Sequence, residues 1–199
     1  YSPVPFVTAE ERAAMETVNE KVVRTLGAMG IPYRGVVYGG FMLTPEGPKV
    51  LEFNARFGDP ETQVILPRFK GDLLRFLYAA ATGTLDASMA SWDDDWAVSV
   101  VLVSAGYPGS YEKGKAITGI EDAEEVPGVT VYHAGTALAD DGTLVTAGGR
   151  VLDVTAVAPT FEEARDAAYA ACDRIRFEGK TLRRDIGAKA LRGREAWEV

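Results

Sequence analysis

Glu52, Asn54 and Arg56 alternate with Leu51, Phe53 and Ala55 in the stretch Lys49-Val50-Leu51-Glu52-Phe53-Asn54-Ala55-Arg56-Phe57-Gly58-Asp59-Pro60-Glu61-Thr62-Gln63. On a β-strand, whose side chains have a period of two, the carboxylate, amide and guanidinium share one face, about 7 Å apart pair to pair, and the apolar three share the other. Carboxylate and amide oxygens suit Mg²⁺, an ion that keeps several waters and completes its shell with substrate phosphates. A guanidinium beside them suits a phosphoryl group whose charge rises in the transition state. The same row also reads as a solvated sheet face carrying a Glu–Arg pair, and spacing alone does not separate the two. Downstream, Asp59-Pro60-Glu61 has the form of a helix start, with Asp as N-cap, Pro at the first helical position and Glu in the first turn. Capping accounts for Asp59 and Pro60 by itself. It would also bring backbone N–H groups, which favour anions, to the end of the Glu-Asn-Arg face.

Leu51 to Gln63 resembles the signature of the glycinamide ribonucleotide synthetase (phosphoribosylamine–glycine ligase) family of the ATP-grasp superfamily. The resemblance continues through Ser104-Ala105-Gly106-Tyr107-Pro108-Gly109, His133-Ala134-Gly135-Thr136, Gly148-Gly149-Arg150-Val151-Leu152 and Arg183-Arg184-Asp185-Ile186-Gly187. These five motifs stand in order over nearly the whole chain. The resemblance implies an ATP-dependent carboxylate–amine ligase of purine biosynthesis. It would join glycine to 5-phosphoribosylamine through a glycyl phosphate, releasing ADP and phosphate.

On the same ground Glu52 and Asn54 are expected to hold Mg²⁺ or Mn²⁺ with the phosphates of ATP, and Arg56 to be the catalytic group that steadies the transferred phosphoryl. Asp59, Glu61 and Gln63 would lie near the acceptor substrate, and Arg184 would meet substrate phosphate. Many ATP-grasp enzymes carry another acidic metal ligand on an earlier strand, whereas Val36 to Leu43 contains no acid. Local alternatives stand beside these roles: a salt bridge from Arg56 to Glu52 or Glu61, a cap at Asp59, surface charge at Arg183, and a structural place for the single histidine, His133. Rival readings of the whole are another ATP-grasp carboxylate–amine ligase and a noncatalytic module. A module need keep only Leu51, Phe53 and Ala55, so the intact polar row counts against it.

The elements that must position these residues are legible in part. Thr8-Ala9-Glu10-Glu11 is a capping box opening a helix, with Met15, Val18, Val22, Leu26 and Met29 at helical spacing as a buried stripe and a stop at Gly30 and Pro32. Arg34 to Thr44 reads as a strand, and Pro45 to Pro48 as the turn into the key strand. The simplest hairpin register places Gly39 opposite Asn54, although Gly39-Gly40 also reads as a bulge. The helix begun at Asp59 continues through Gln63 to Arg68, and Asp72 caps another that ends near Gly83. Beyond the acidic stretch Asp86 to Asp95, Ala97 to Val103 is a continuous apolar run and reads as a buried strand. Val129 to Ala137, Leu144 to Ala147 and Arg150 to Val157 are further strands. A second capping box at Thr160 to Glu163 opens a helix burying Ala164, Ala167, Ala168, Ala171 and Ile175, with Cys172 packed there. The expected class is α+β: residues 1–90 as the C-terminal part of an ATP-grasp domain, then residues 91–199 as a small β-rich, barrel-like domain with packed helices.

The bulk properties set outer bounds. A chain of 199 residues can bury one good core or two modest ones. A net charge of −8 argues against nucleic acid or an anionic membrane as partner, though not against a local phosphate pocket. A single cysteine cannot form an internal disulfide, which fits a reducing cytoplasm, and no apolar run approaches membrane-spanning length. The chain starts at Tyr1-Ser2-Pro3 without an initiator Met, so the expected partners include the missing N-terminal part of the same enzyme, besides ATP, glycine and 5-phosphoribosylamine.

Overall fold

The computed structural model describes residues 1–192, which form two compact units. One comprises Val4–Thr62 and Phe69–Asp93; the other comprises Tyr1–Pro3, Gln63–Arg68 and the chain from Asp94 onward.

The smaller unit opens with helix α1 (Ala9–Ala28). Thr8 caps it as the sequence requires: its hydroxyl accepts from the Glu11 amide, and the Glu11 carboxylate accepts from the Thr8 amide at 2.9 Å. Strands β1 (Tyr38–Thr44) and β2 (Gly47–Asn54) form an antiparallel hairpin beside it. Strand β1 starts four residues later than Arg34. The turn is tighter than Pro45 to Pro48, because Gly47 and Pro48 already pair with Thr44 and Leu43.

The hairpin register differs from the simple expectation. Tyr38 faces Asn54, Gly39 faces Phe53 and Gly40 faces Glu52, after which Phe41 faces Val50. Leu51 is the extra residue of a bulge. An extra residue breaks strict alternation, and Val50 and Phe53 accordingly line one groove with Val18, Val22 and Leu26 of α1. The apolar face therefore does not become a core. Leu51 is 62% and Phe53 40% exposed, no residue of α1 is buried, and Met29 projects into solvent at the end of its stripe. One two-stranded ribbon is too narrow to cover a 20-residue helix, so the stripe is half-buried along Met15, Val18, Val22 and Leu26.

The segment after β2 also departs from the expectation. No helix starts at Asp59-Pro60. These residues lie in a turn with a cis peptide bond, and the helix α2 (Thr62–Ile65) begins later and is only four residues long. Thr62 supplies the local anchor instead, donating both its amide and its hydroxyl to the Gly58 carbonyl. A 3-10 turn, Leu66–Arg68, replaces the expected continuation of the helix. The short strand β3 (Phe69–Lys70) leads to α3 (Leu73–Thr82), capped by Asp72 and closed by Gly83 as expected. Strand β4 (Ser91–Trp92) pairs with β3, and the Phe69 ring packs on Phe76 and Trp92 at centroid distances of 5.2 and 5.5 Å.

The larger unit holds the better core. Strand β5 (Trp96–Ser104) is followed by α4 (Ile120–Glu124), β6 (Val129–His133), β7 (Thr136–Leu138), β8 (Leu144–Thr146), β9 (Arg150–Ala158), α5 (Phe161–Arg174), β10 (Lys180–Thr181) and α6 (Ala188–Arg192). The main sheet has the order β10-β5-β9-β6, and β7 and β8 form a separate hairpin. The expected strand Val129 to Ala137 is thus split at Ala134-Gly135. Among the described residues no sheet closes into a barrel; β10 and β6 are the open edges of the four-stranded one.

Val98, Val100 and Leu102 of β5 lie opposite Ala156, Val154 and Leu152 of β9, and all six are fully buried. Ala164, Ala168, Ala171 and Cys172 of α5 join the same core, while Ala167 is only half-buried. Burial pushes the Cys172 thiol up to about 12, which makes it a small apolar filler. Thr160 caps α5 by accepting from the Glu163 amide. At the other end the Lys180 ammonium donates to the Cys172 and Ile175 carbonyls, which satisfies groups a helix C-terminus leaves unpaired. No helix among the described residues is long and apolar enough to cross a membrane.

Candidate active site

Glu52 and Asn54 keep their shared face at the end of β2, and Arg56 lies in the bend that follows. Directly opposed residues of an antiparallel pair share a face, so the pairs Tyr38–Asn54 and Gly40–Glu52 place Glu52, Asn54 and Tyr38 together. Gly40 leaves Glu52 its room: a Cβ there would come within 3.2 Å of the Glu52 Cγ. Asn54 Nδ2 donates to Glu52 Oε1 at 3.1 Å, so the two side chains lie within reach of a single ion. Turning the Asn54 amide about its last bond presents Oδ1 on the side where Nδ2 stands. Among the described residues no group of three or more His, Cys, Asp or Glu side chains could hold a metal. A pair of oxygen donors is the set expected for Mg²⁺ that completes its shell with water and phosphate. The residues therefore fit the ion.

Arg56 lies just beyond the end of β2, exposed, with Nη1 donating to the Phe57 carbonyl at 2.8 Å. It forms no ion pair among the described residues, so the alternative salt bridge to Glu52 or Glu61 is not made. Glu61 turns back toward the hairpin, where its Oε1 accepts from the Tyr38 hydroxyl at 3.1 Å. Burial first, then the Glu61 charge and hydrogen bond, then the Glu52 charge raise the Tyr38 pKa; Arg56 opposes them. Tyr38 thus lies within electrostatic reach of Glu61, Glu52 and Arg56. Asp59 is exposed in the turn, three residues ahead of α2. With a four-residue helix starting at Thr62, the anion-favouring helix N-terminus expected at this place is not formed.

Gln63 and Arg184 belong to the larger unit. Gln63 is half-buried at the start of α2. Arg184 donates through Nη2 to Asp173 Oδ1 at 2.6 Å, and its guanidinium carbon stands 5.7 Å from the centre of the Tyr169 ring. Its neighbour Arg183 instead forks onto Asp185, at 2.9 and 2.7 Å. The two arginines thus point to different partners, as adjacent residues must. Tyr169 pins the segment between them: its hydroxyl donates to the Arg183 carbonyl at 2.8 Å and accepts from the Ile186 amide at 3.1 Å. His133, exposed at the end of β6, shares a hydrogen bond of 2.9 Å with Thr136, which is a structural place. Sequence reasoning missed Tyr38 and Tyr169. An aromatic residue in a strand or helix looks like core, and only pairing shows what its hydroxyl meets.

The same fold occurs in a biotin carboxylase domain of the 2-oxoglutarate carboxylase of Hydrogenobacter thermophilus, with a TM-score of 0.60 over 91% of this chain and 39% of that one, at 19% identity. A phosphoribosylamine–glycine ligase from Thermotoga maritima gives a TM-score of 0.76 at 37% identity, covering 92% of this chain and 44% of that one. The family description "Phosphoribosylglycinamide synthetase, ATP-grasp (A) domain" matches residues 1–62, which makes the chain part of an ATP-grasp protein. The companion description, "Phosphoribosylglycinamide synthetase, C domain", matches residues 97–189. The chain belongs to the phosphoribosylglycinamide synthetase family. It is 49% identical to the phosphoribosylamine–glycine ligase of Rhizobium meliloti over 193 residues, which is 96% of this chain and 45% of the relative. The chloroplastic phosphoribosylamine–glycine ligase of Arabidopsis thaliana is 45% identical, over 98% of this chain and 37% of its own length. The chain thus spans less than half the length of these relatives.

Proposed function

We propose that this chain is the C-terminal part of a cytoplasmic phosphoribosylamine–glycine ligase, divided near residue 91 into the end of its ATP-grasp domain and a C-terminal domain. The observation that carries the reading is the Glu52–Asn54 pair at the end of β2 with Arg56 just beyond it, none of the three being buried in a core that would explain it. Glu52 and Asn54 would hold Mg²⁺ or Mn²⁺, which when bound neutralises the phosphate charge of ATP. Arg56, whose remaining N–H groups are open, would steady the phosphoryl group as it passes to the glycine carboxylate. The 5-phosphoribosylamine nitrogen then displaces phosphate from the glycyl phosphate. Glu61, with Asp59 and Gln63 beside it in sequence, would meet the acceptor, and Arg184 the substrate phosphate, exchanging Asp173 for it. The work is positioning and charge stabilisation, with no covalent enzyme nucleophile.

The test is ADP release by the complete enzyme when glycine and 5-phosphoribosylamine are supplied together, compared with other acids and amines. In that assay Arg56→Lys keeps the charge and loses the planar fork. It should lower kcat roughly tenfold, the worth of one charged hydrogen bond. An unchanged kcat would remove Arg56 from the chemistry, and equal turnover with a different acid would point to another ligase of the same fold.

A further inference from the structure

We propose that Tyr38 is a positioning residue of the candidate site, holding the Glu61 carboxylate against Gly58 beside the Glu52–Asn54 pair. Three observations carry this. Tyr38 is the register partner of Asn54, so its ring rises from the face that bears Glu52 and Asn54. Its hydroxyl donates to Glu61 Oε1 at 3.1 Å across 23 residues of chain, which ties the end of the β2 connection to the first residue of β1. Gly58 is buried and completes the seat: a Cβ there would run into Glu61 Oε2 and come within 3.0 Å of the Glu61 Cβ. The carboxylate is therefore held from one side by a donor and admitted on the other by a missing side chain. The raised pKa of Tyr38, through burial and the Glu61 charge, agrees with a phenol that stays protonated and donating at neutral pH.

What Glu61 is held for rests on the ligase reading. A fixed carboxylate beside the metal pair suits the ammonium end of an amino-acid substrate, whose own carboxylate must be presented to the phosphoryl group. Tyr38 touches neither in this scheme. It acts through Glu61, so its removal should loosen substrate placement rather than abolish the chemistry.

The experiment is a double-variant cycle in the complete enzyme, with Tyr38→Phe, Glu61→Gln and the pair. Tyr38→Phe keeps the ring and removes the donor. It should raise KM for glycine about tenfold, the effect of one hydrogen bond to a charged group, with kcat changed less than twofold. The pair should be no worse than Glu61→Gln alone. An unchanged KM in Tyr38→Phe, or losses that simply add, would overturn the proposal. A second readout needs no turnover: ultraviolet titration of the phenols in the 199-residue chain should show one tyrosine whose midpoint falls in Glu61→Gln and which is missing in Tyr38→Phe. If that midpoint stays where it is, the contact is refuted. A parent enzyme indifferent to glycine would fail the ligase reading, and the titration would then decide the Tyr38–Glu61 pairing alone.

Discussion

Purified by itself, the 199-residue chain should release no glycine-dependent ADP above background. Phosphoryl transfer needs nucleotide, ion and acceptor held together in near-attack geometry, and that positioning supplies about 7–11 kcal/mol of barrier lowering. At about 1.36 kcal/mol per tenfold, losing it removes at least five orders of magnitude in rate. The chain carries the proposed ion-and-phosphate residues, but its relatives are more than twice as long, and the ATP-grasp description matches only its first 62 residues. On the ligase reading, adenine recognition and most phosphoribosylamine contacts are made by the part of the relatives' length that this chain does not span. Supplying that region, joined or as a separate chain, should restore turnover. Glycine-dependent turnover by the purified chain would show that the nucleotide is bound by residues described above, and the assignment would have to be redrawn.

The second large effect is expected of Glu52→Gln in the complete enzyme. The amide is near-isosteric and keeps an oxygen to accept from Asn54 Nδ2, so the hairpin has no reason to change. What goes is the only negative charge of the proposed ion pair of ligands. Removing one group that stabilises transition-state charge typically costs on the order of a hundredfold to a thousandfold in kcat, and a comparable fall in Mg²⁺-dependent turnover is the expected result. It is read by titrating the ion at saturating ATP. A variant that matches the parent at every concentration of Mg²⁺ would exclude Glu52 as a ligand.

What could be read from the sequence was whatever depends on a few neighbouring residues. The box at Thr8 and the caps at Asp72 and Thr160 are local hydrogen bonds between residues three apart and form as expected, although at Thr160 the Glu163 carboxylate accepts from the hydroxyl and the reciprocal bond to the backbone amide is not made. The continuous Val-rich run of β5 and the alanine face of α5 mark both as buried elements, which they are. The shared face of Glu52 and Asn54 was legible for the same reason, since one strand sets its spacing, whereas Arg56 falls in a bend beyond that strand. Failures came wherever a second element decides. The tighter turn pairs Thr44 with Gly47, which moves the register by two residues, and the bulge at Leu51 takes one back, leaving Tyr38 opposite Asn54 and Val50 in the groove with Phe53. Asp59-Pro60 carries the residue types of a helix start, yet the Gly58 carbonyl and the Thr62 side chain form the anchor two residues later. Tyr38 looked like a β-forming aromatic, and its role depends on Glu61, 23 positions away.

The doubly flanked strand β9 has a consequence for how any of these variants is judged. Its backbone is bonded to β5 on one side and β6 on the other, and Val151 to Ala156 are all buried, so its amide hydrogens should exchange with solvent only when the larger unit opens as a whole. The ribbon β1–β2 has a partner on one side of each strand and no buried residue along β2, so it should exchange through small local openings. A thermal melt of this protein then registers mainly the cooperative loss of β5, β9 and α5. It would look undisturbed even for a substitution that frayed the ribbon carrying Glu52 and Asn54. Deuterium uptake at Gly39 to Phe41 and Val50 to Asn54 is the control that distinguishes a lost ligand from a frayed strand.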